Sequence, residues 1–185
     1  MTDELTDTLR EIVARLEAQG IPYMVVGSVA ASVYGRQRGT QDFDVVIEAG
    51  ASALRALVRS LPEDRFYASE EAAMEALRYE TQFNVLDMAT GWKADLIVRK
   101  HRAFSETEFA RRTRHDVMGV STYVASVEDV IVAKLEWAKA GGSERQLEDV
   151  RELVRLERAR LDRSYVEQWI ERLGLREEWE RANGA

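Results

Sequence analysis

The stretch Asp42–Ile47, DFDVVI, constrains the fold of this chain more than any other. Its aromatic and β-branched residues read as a strand, and in a strand residues two apart point the same way. Asp42 and Asp44 therefore share one face, while Phe43 and Val45 share the other. Two carboxylates so close together repel, and without a cation between them one is driven to bind a proton. A hard divalent cation favours such an oxygen-only pair. Mg²⁺ in particular takes one or two carboxylates and completes its shell with water and phosphate oxygens. The plain alternative is a pair of strand-end carboxylates facing solvent.

Two neighbouring features sharpen this reading. Asp95 lies in KADLIV, the second arm of a hairpin expected over FNVLDMATGWKADLIV, with Gly91 at the turn. If that arm lies beside the Asp42–Asp44 strand, three carboxylates converge. That is the requirement of a two-metal phosphoryl-transfer site, with metals about 3.5–4 Å apart. Upstream, IPYMVVG is an apolar strand that Gly27 ends, and Ser28 is expected to cap a helix through Tyr34. A strand-to-helix junction offers free backbone N–H groups to a phosphate, although an ordinary turn and cap would look the same. The junction and the acidic pair, joined by a short helix and a Gly/Arg-rich loop, are more specific together than apart.

The remaining chain supplies a scaffold. Leu9, Ile12, Val13 and Leu16 sit at helical spacing, with Gly20 as a stop. SALRALVRSL is an amphipathic helix closed by Pro62, RFYAS is a weak strand, and Ser69 caps a helix to about Tyr79. A helix around Phe104–Arg112 precedes the strand VSTYVAS. Ser126 with Asp129 opens the next helix as a capping-box-like pair, and Gly141-Gly142 break it. Ser143 with Gln146 opens another in the same way, and two short helices follow. These elements predict an α/β (α+β) sheet core over residues 1–125, with flanking helices, and a helical C-terminal part over 126–185. Internal repeats are absent.

Composition narrows the function classes. Of 185 residues, 45% are hydrophobic and 32% charged, as expected for a globular chain. There is no apolar run of the roughly 20 residues that a membrane span needs. The acidic, amphipathic N-terminus does not read as a signal or transit peptide. The lack of cysteine removes disulfides, thiol catalysis and cysteine–zinc sites, and suits a cytoplasmic location. Net charge is −7, so the chain is not expected to coat nucleic acid non-specifically. A local basic patch is still available in RKHRAFSETEFARRTRH, residues 99–115, which reads equally as a solvated helix with flanking loops.

The stretch VVGSVAASVYGRQRGTQDFDVVIE resembles the signature of the DNA polymerase β-like nucleotidyltransferase superfamily, and KADLIV resembles its third-acid strand. The tail SVEDVIVAKLEWAKAGGSERQLEDVRELV is similar to the helical half of compact bacterial members, including AbiEii-type toxin nucleotidyltransferases. The resemblance runs from about Ile21 to Leu173. It implies a mixed-sheet core and a divalent-metal-dependent reaction, with Mg²⁺ or Mn²⁺, that moves a nucleoside monophosphate from an NTP to an acceptor hydroxyl. By the same resemblance Gly27 and Ser28 hold the triphosphate, and Asp42 and Asp44 bind both metals. Asp95 binds the catalytic metal and helps to deprotonate the acceptor, Lys134 reaches the phosphates, and Arg145 with Asp149 forms a second polar cluster. A toxin-like role would bring tRNA or a protein as acceptor and an antitoxin as partner.

Other expectations come from the residues themselves. Arg36, Arg38 and Thr40 lie in the loop before the acidic pair, where an arginine could touch phosphate or acceptor. Arg111, Arg112 and Arg114 are candidate acceptor-binding residues if the acceptor is RNA. A tRNA or protein acceptor ranks first and a small hydroxylated molecule second. A non-catalytic module that binds a nucleotide or a partner is the alternative from another class. Asp87 reads as a solvent-facing hairpin carboxylate. Trp92, Trp137, Trp169 and Trp179 read as packing residues, although one near the nucleotide could stack on a base. With only His101 and His115 and no zinc-ligand spacing, zinc is not expected.

Overall fold

The computed structural model describes residues 2–36, 39–40 and 42–184. Arg38 of the expected nucleotide-binding set lies outside them. In chain order the elements are α1 (Thr2–Ala18), β1 (Tyr23–Val26), α2 (Gly27–Val33), β2 (Asp42–Ile47), α3 (Ala51–Ser60), β3 (Phe66–Ala68), α4 (Glu70–Tyr79) and β4 (Gln82–Asp87). Then come β5 (Lys93–Val98), α5 (Ala103–Ala110), β6 (Thr113–Val117), β7 (Val120–Val124), α6 (Val127–Gly141), α7 (Glu144–Leu156), α8 (Arg163–Leu173) and α9 (Arg176–Asn183). The strands form one mixed sheet in the order β3-β4-β5-β2-β1-β7-β6. β2 runs parallel to β5 and β1 parallel to β7, and the other neighbours are antiparallel.

Period-2 alternation gives this sheet two chemically different faces. Phe43, Val45 and Ile47 of β2, Ala94 and Leu96 of β5, and Phe83 and Val85 of β4 are buried on one face, the side of Leu9, Ile12 and Leu16 of α1. Burying a side chain of this size contributes about 1.5–3 kcal/mol, so this layer holds the central strands in place. Asp42 and Asp44 project from the opposite face.

Several elements differ from the sequence expectation. β6 was not expected, because Thr113, Arg114 and Asp116 are exposed and the strand carries no apolar alternation. It is an edge strand held to β7 through a two-residue turn, with φ of 52° at Met118 and 79° at Gly119. Asp87 does not face solvent. It is fully buried, where it accepts hydrogen bonds from Thr8 Oγ1 at 2.7 Å, Arg65 Nη2 at 2.7 Å and the Ala89 N–H at 3.1 Å. Burial alone would raise this carboxyl, but these donors outweigh it and hold it below its ordinary value. Ser28 is not the cap of α2. Val26 occupies that position, and the helix begins without a side-chain cap. Ser126 does cap α6 through the Asp129 N–H, whereas Ser143 precedes α7 without a side-chain cap bond. Trp92, Trp169 and Trp179 are buried, but Trp137 is 63% exposed.

Candidate functional site

The β2–β5 pairing brings the three expected acids together on one face. Asp44 is in register with Asp95 on one side and with Val26 on the other, directly before Gly27. Asp42 is in register with Lys93. The hairpin arm therefore lies where the two strand patterns expected it.

Gly27 is indispensable to this arrangement for a local reason. Its φ is +66°, and an added Cβ would overlap Asp44 Oδ2 and lie 3.0 Å from Asp44 Cγ. Only a residue without a side chain lets the backbone pass so close to the carboxylate. Ser28 follows in the first turn of α2, and both residues line a cleft with Asp44. The opposite wall comes from α6, with Lys134 and Trp137. Free space in this inner chamber is about 160 Å³. An adjoining outer chamber of about 310 Å³ shares Val26, Ile97, Glu108, Ala133 and Trp137 with it.

The charges of the site are unevenly compensated. Asp44 is half-buried, and its carboxyl is pushed up to about 6 by burial and then by Asp95 and Asp42, while Lys134 and Lys93 pull it down. Asp95 is buried. Its Oδ1 has no hydrogen-bond partner, while its Oδ2 lies 3.2 Å from Lys93 Nζ. Asp42 is more open. Its Oδ1 accepts from Thr40 Oγ1 at 2.6 Å, and its Oδ2 is 3.9 Å from Lys93 Nζ. Thr40 thus orients Asp42.

These residues fit a hard divalent cation in donor type, in the orphaned buried oxygen of Asp95 and in the close approach that Gly27 permits. The fit is not closed, however. Among the described residues no three carboxylate or imidazole side chains are gathered tightly enough to hold a metal ion. Lys93 stands between two of the acids.

A second polar chain borders the cleft. Buried Lys134 donates to Asp149 Oδ2 at 2.7 Å and to Gln146 Oε1 at 3.0 Å, and Arg36 Nε donates to Asp149 Oδ1 at 2.9 Å. Asp149 is thus joined to Lys134 and Arg36, not to the Arg145 expected beside it. Arg145 is exposed on α7.

The arginines considered for an acceptor are engaged within the chain. Arg111 bonds Asp129 and Glu128 and lies 3.9 Å over the Tyr165 ring. Arg112 donates to the Phe109 carbonyl and packs on the Phe109 and Tyr123 rings. Arg114 pairs with Glu17 at 2.8 Å and lies over Tyr123. Within residues 99–115, Arg99, Arg102, Arg111 and Arg114 are thus paired with acids, and Phe104 and Phe109 anchor their helix in the core.

Sequence reasoning missed Lys93 and Glu108, and of the four tryptophans weighed there it is Trp137 that lines the cleft. Lys93 was legible as the residue two before Asp95, hence on its face. Glu108 carried no local signal. It is buried in the wall between the chambers and pushed up to about 8, by burial and then by Asp129.

No family model and no curated protein sequence matches the chain. Solved structures do. One is an antigenic nucleotidyltransferase-like protein from Paracoccidioides brasiliensis, with 16% identity and a TM-score of 0.59 over 97% of this chain and 92% of that one. Another is the antibiotic-resistance factor ANT(2'')-Ia, with 16% identity and a TM-score of 0.64 over 98% and 96%. A third is the lincosamide antibiotic adenylyltransferase LnuA bound to lincomycin, with 12% identity and a TM-score of 0.53 over 83% and 96%. The chain has the fold of these nucleotidyltransferase-like proteins. No helix among the described residues is long and apolar enough to cross a membrane.

Proposed function

We propose that this protein is a divalent-metal-dependent nucleotidyltransferase that joins the nucleoside monophosphate of an NTP to a hydroxyl of a small acceptor and releases pyrophosphate. The observation that carries the reading is the register of Asp44 with Asp95, beside a Gly27 whose missing side chain leaves room for the Asp44 carboxylate. Asp42, Asp44 and Asp95 are the residues that would hold Mg²⁺ or Mn²⁺. A bound metal would neutralise phosphate charge and polarise the phosphoryl oxygens.

The chain's own groups supply the rest. Gly27, Ser28 and Lys134 border the inner chamber and receive the triphosphate, with Lys134 held in place by Asp149 and Gln146. Trp137, exposed along both chambers, offers a face on which a base can stack. Asp95 Oδ1 accepts the proton of the attacking hydroxyl, whose oxygen then bonds the α-phosphorus as pyrophosphate leaves. Holding these groups in line is the main catalytic contribution.

A small hydroxylated acceptor is preferred over tRNA for two reasons. Arg111, Arg112 and Arg114 are spent on internal partners, and the net charge of −7 opposes a phosphate-rich acceptor. ANT(2'')-Ia, whose structure with adenylyl-2''-tobramycin has a related fold, and lincomycin-bound LnuA support the same choice. A toxin role and an antitoxin partner find no support in the site and are not proposed.

The test is incubation of the protein with each NTP, Mg²⁺ and a panel of aminoglycosides, lincosamides, total RNA and protein lysate, read by mass spectrometry. A nucleoside monophosphate added to a small molecule is expected, and lost in Asp42→Asn and Asp95→Asn. Transfer to RNA or protein alone would overturn the acceptor assignment.

A further inference from the structure

We propose that Lys93 is a resident counter-cation of the acid face, one that a divalent metal must displace in order to bind. The inference rests on the metal-dependent reading above. Lys93 precedes Asp95 by two on β5 and lies across from Asp42 in the β2–β5 register, so all three side chains share a face. Its Nζ is 3.2 Å from Asp95 Oδ2 and 3.9 Å from Asp42 Oδ2. On its other side the neighbour in register is Leu86, which brings no competing charge.

An ammonium group and a metal ion cannot share this gap. Mg²⁺ takes carboxylate oxygens at about 2.0–2.1 Å, closer than an ammonium does, and two cations within a few ångströms repel. With Lys93 in place, Asp42 and Asp95 are held at ammonium spacing, in keeping with the open carboxylate arrangement among the described residues. The lysine has a way out, because its side chain is 37% exposed on a flexible four-carbon stem.

Two consequences follow. Without metal, the ammonium relieves the repulsion of acids that β2 and β5 force together. With metal, its displacement opposes binding, so a free ion is held weakly and the site fills best with an ion that a triphosphate already carries. Lys93 thereby couples metal loading to nucleotide arrival.

The experiment is a Mn²⁺ titration of the intact chain without nucleotide, with free Mn²⁺ read by electron paramagnetic resonance, for wild type, Lys93→Met, Lys93→Gln and Lys93→Arg. Thermal unfolding in EDTA and in Mn²⁺ is measured alongside. Met and Gln are expected to bind Mn²⁺ roughly two- to fivefold more tightly, the scale of one part-exposed ion pair, and to melt lower in EDTA. Mn²⁺ is expected to raise their melting temperature more than that of wild type, and Arg is expected to track wild type. Equal or weaker Mn²⁺ binding by both Met and Gln, with wild type still binding, would overturn the inference and leave the metal reading standing. If no protein binds Mn²⁺ even with ATP present, the metal reading fails and the inference falls with it.

Discussion

Asp44→Asn is expected to stabilise the metal-free protein while destroying its function. The Asp44 carboxyl is raised from 3.8 to about 6, by burial first and then by Asp95 and Asp42. A raised carboxyl keeps a proton in the folded state that the unfolded chain releases. Stability therefore falls as pH rises from about 4 to about 6, and the loss stays constant above that. A displacement of about two pH units at 1.36 kcal/mol each gives about 3 kcal/mol at most. Because Asp44 is only half-buried at the cleft, water screening brings this to about 2 kcal/mol. Asparagine has the same shape and no charge, so it escapes the penalty. In EDTA at pH 8 the variant should melt about 4–8 °C above wild type. The gain should shrink below pH 6 and vanish near pH 4. Mg²⁺ with an NTP should stabilise wild type and leave the variant unmoved. A variant that melts at or below wild type at pH 8 in EDTA, or a gain that ignores pH, would refute the reasoning.

Other expectations follow from the same geometry. Gly27→Ala forces a Cβ onto the Asp44 carboxylate at a positive φ, and should lower stability by about 2 kcal/mol in urea unfolding as well as abolish transfer. Glu108→Gln removes a buried carboxyl raised to about 8. Its gain over wild type should grow from about pH 4.5 to about pH 8 and then level off, as read by circular dichroism melts. Asp87→Ala leaves Arg65 and Thr8 without their buried acceptor, and should cost about 2–4 kcal/mol. Trp137→Ala should leave stability within about 0.5 kcal/mol, since the ring is exposed, yet weaken nucleotide binding in calorimetry.

The site was legible where chemistry and periodicity coincide. Asp42 and Asp44 announce themselves because a strand buries one face and these acids mark the other. Asp95 could be attached to them only through the hairpin reading, and the parallel β2–β5 register then brought it beside Asp44. Residues whose roles depend on distant partners were not legible. Asp87 looks like any turn-proximal acid until α1 supplies Thr8, 79 residues away, and the segment before β3 supplies Arg65. Residues 99–115 look basic in sequence, but Arg102, Arg111 and Arg114 find Glu136, Asp129 and Glu17 across the fold. β6 escaped because an exposed edge strand needs no apolar alternation. Ser143 misled because the capping pattern was present while Gln146 was taken up by Lys134.

The central claim is that the acid face of β2 and β5 transfers a nucleotidyl group. Parallel reactions with α-labelled and γ-labelled NTP, Mg²⁺ and the acceptor panel test it most directly, with Asp44→Asn as control. The account expects the α-label on an acceptor, the γ-label in pyrophosphate, and neither product from the variant. Label transferred from the γ-position, or α-transfer that survives Asp44→Asn, would contradict it.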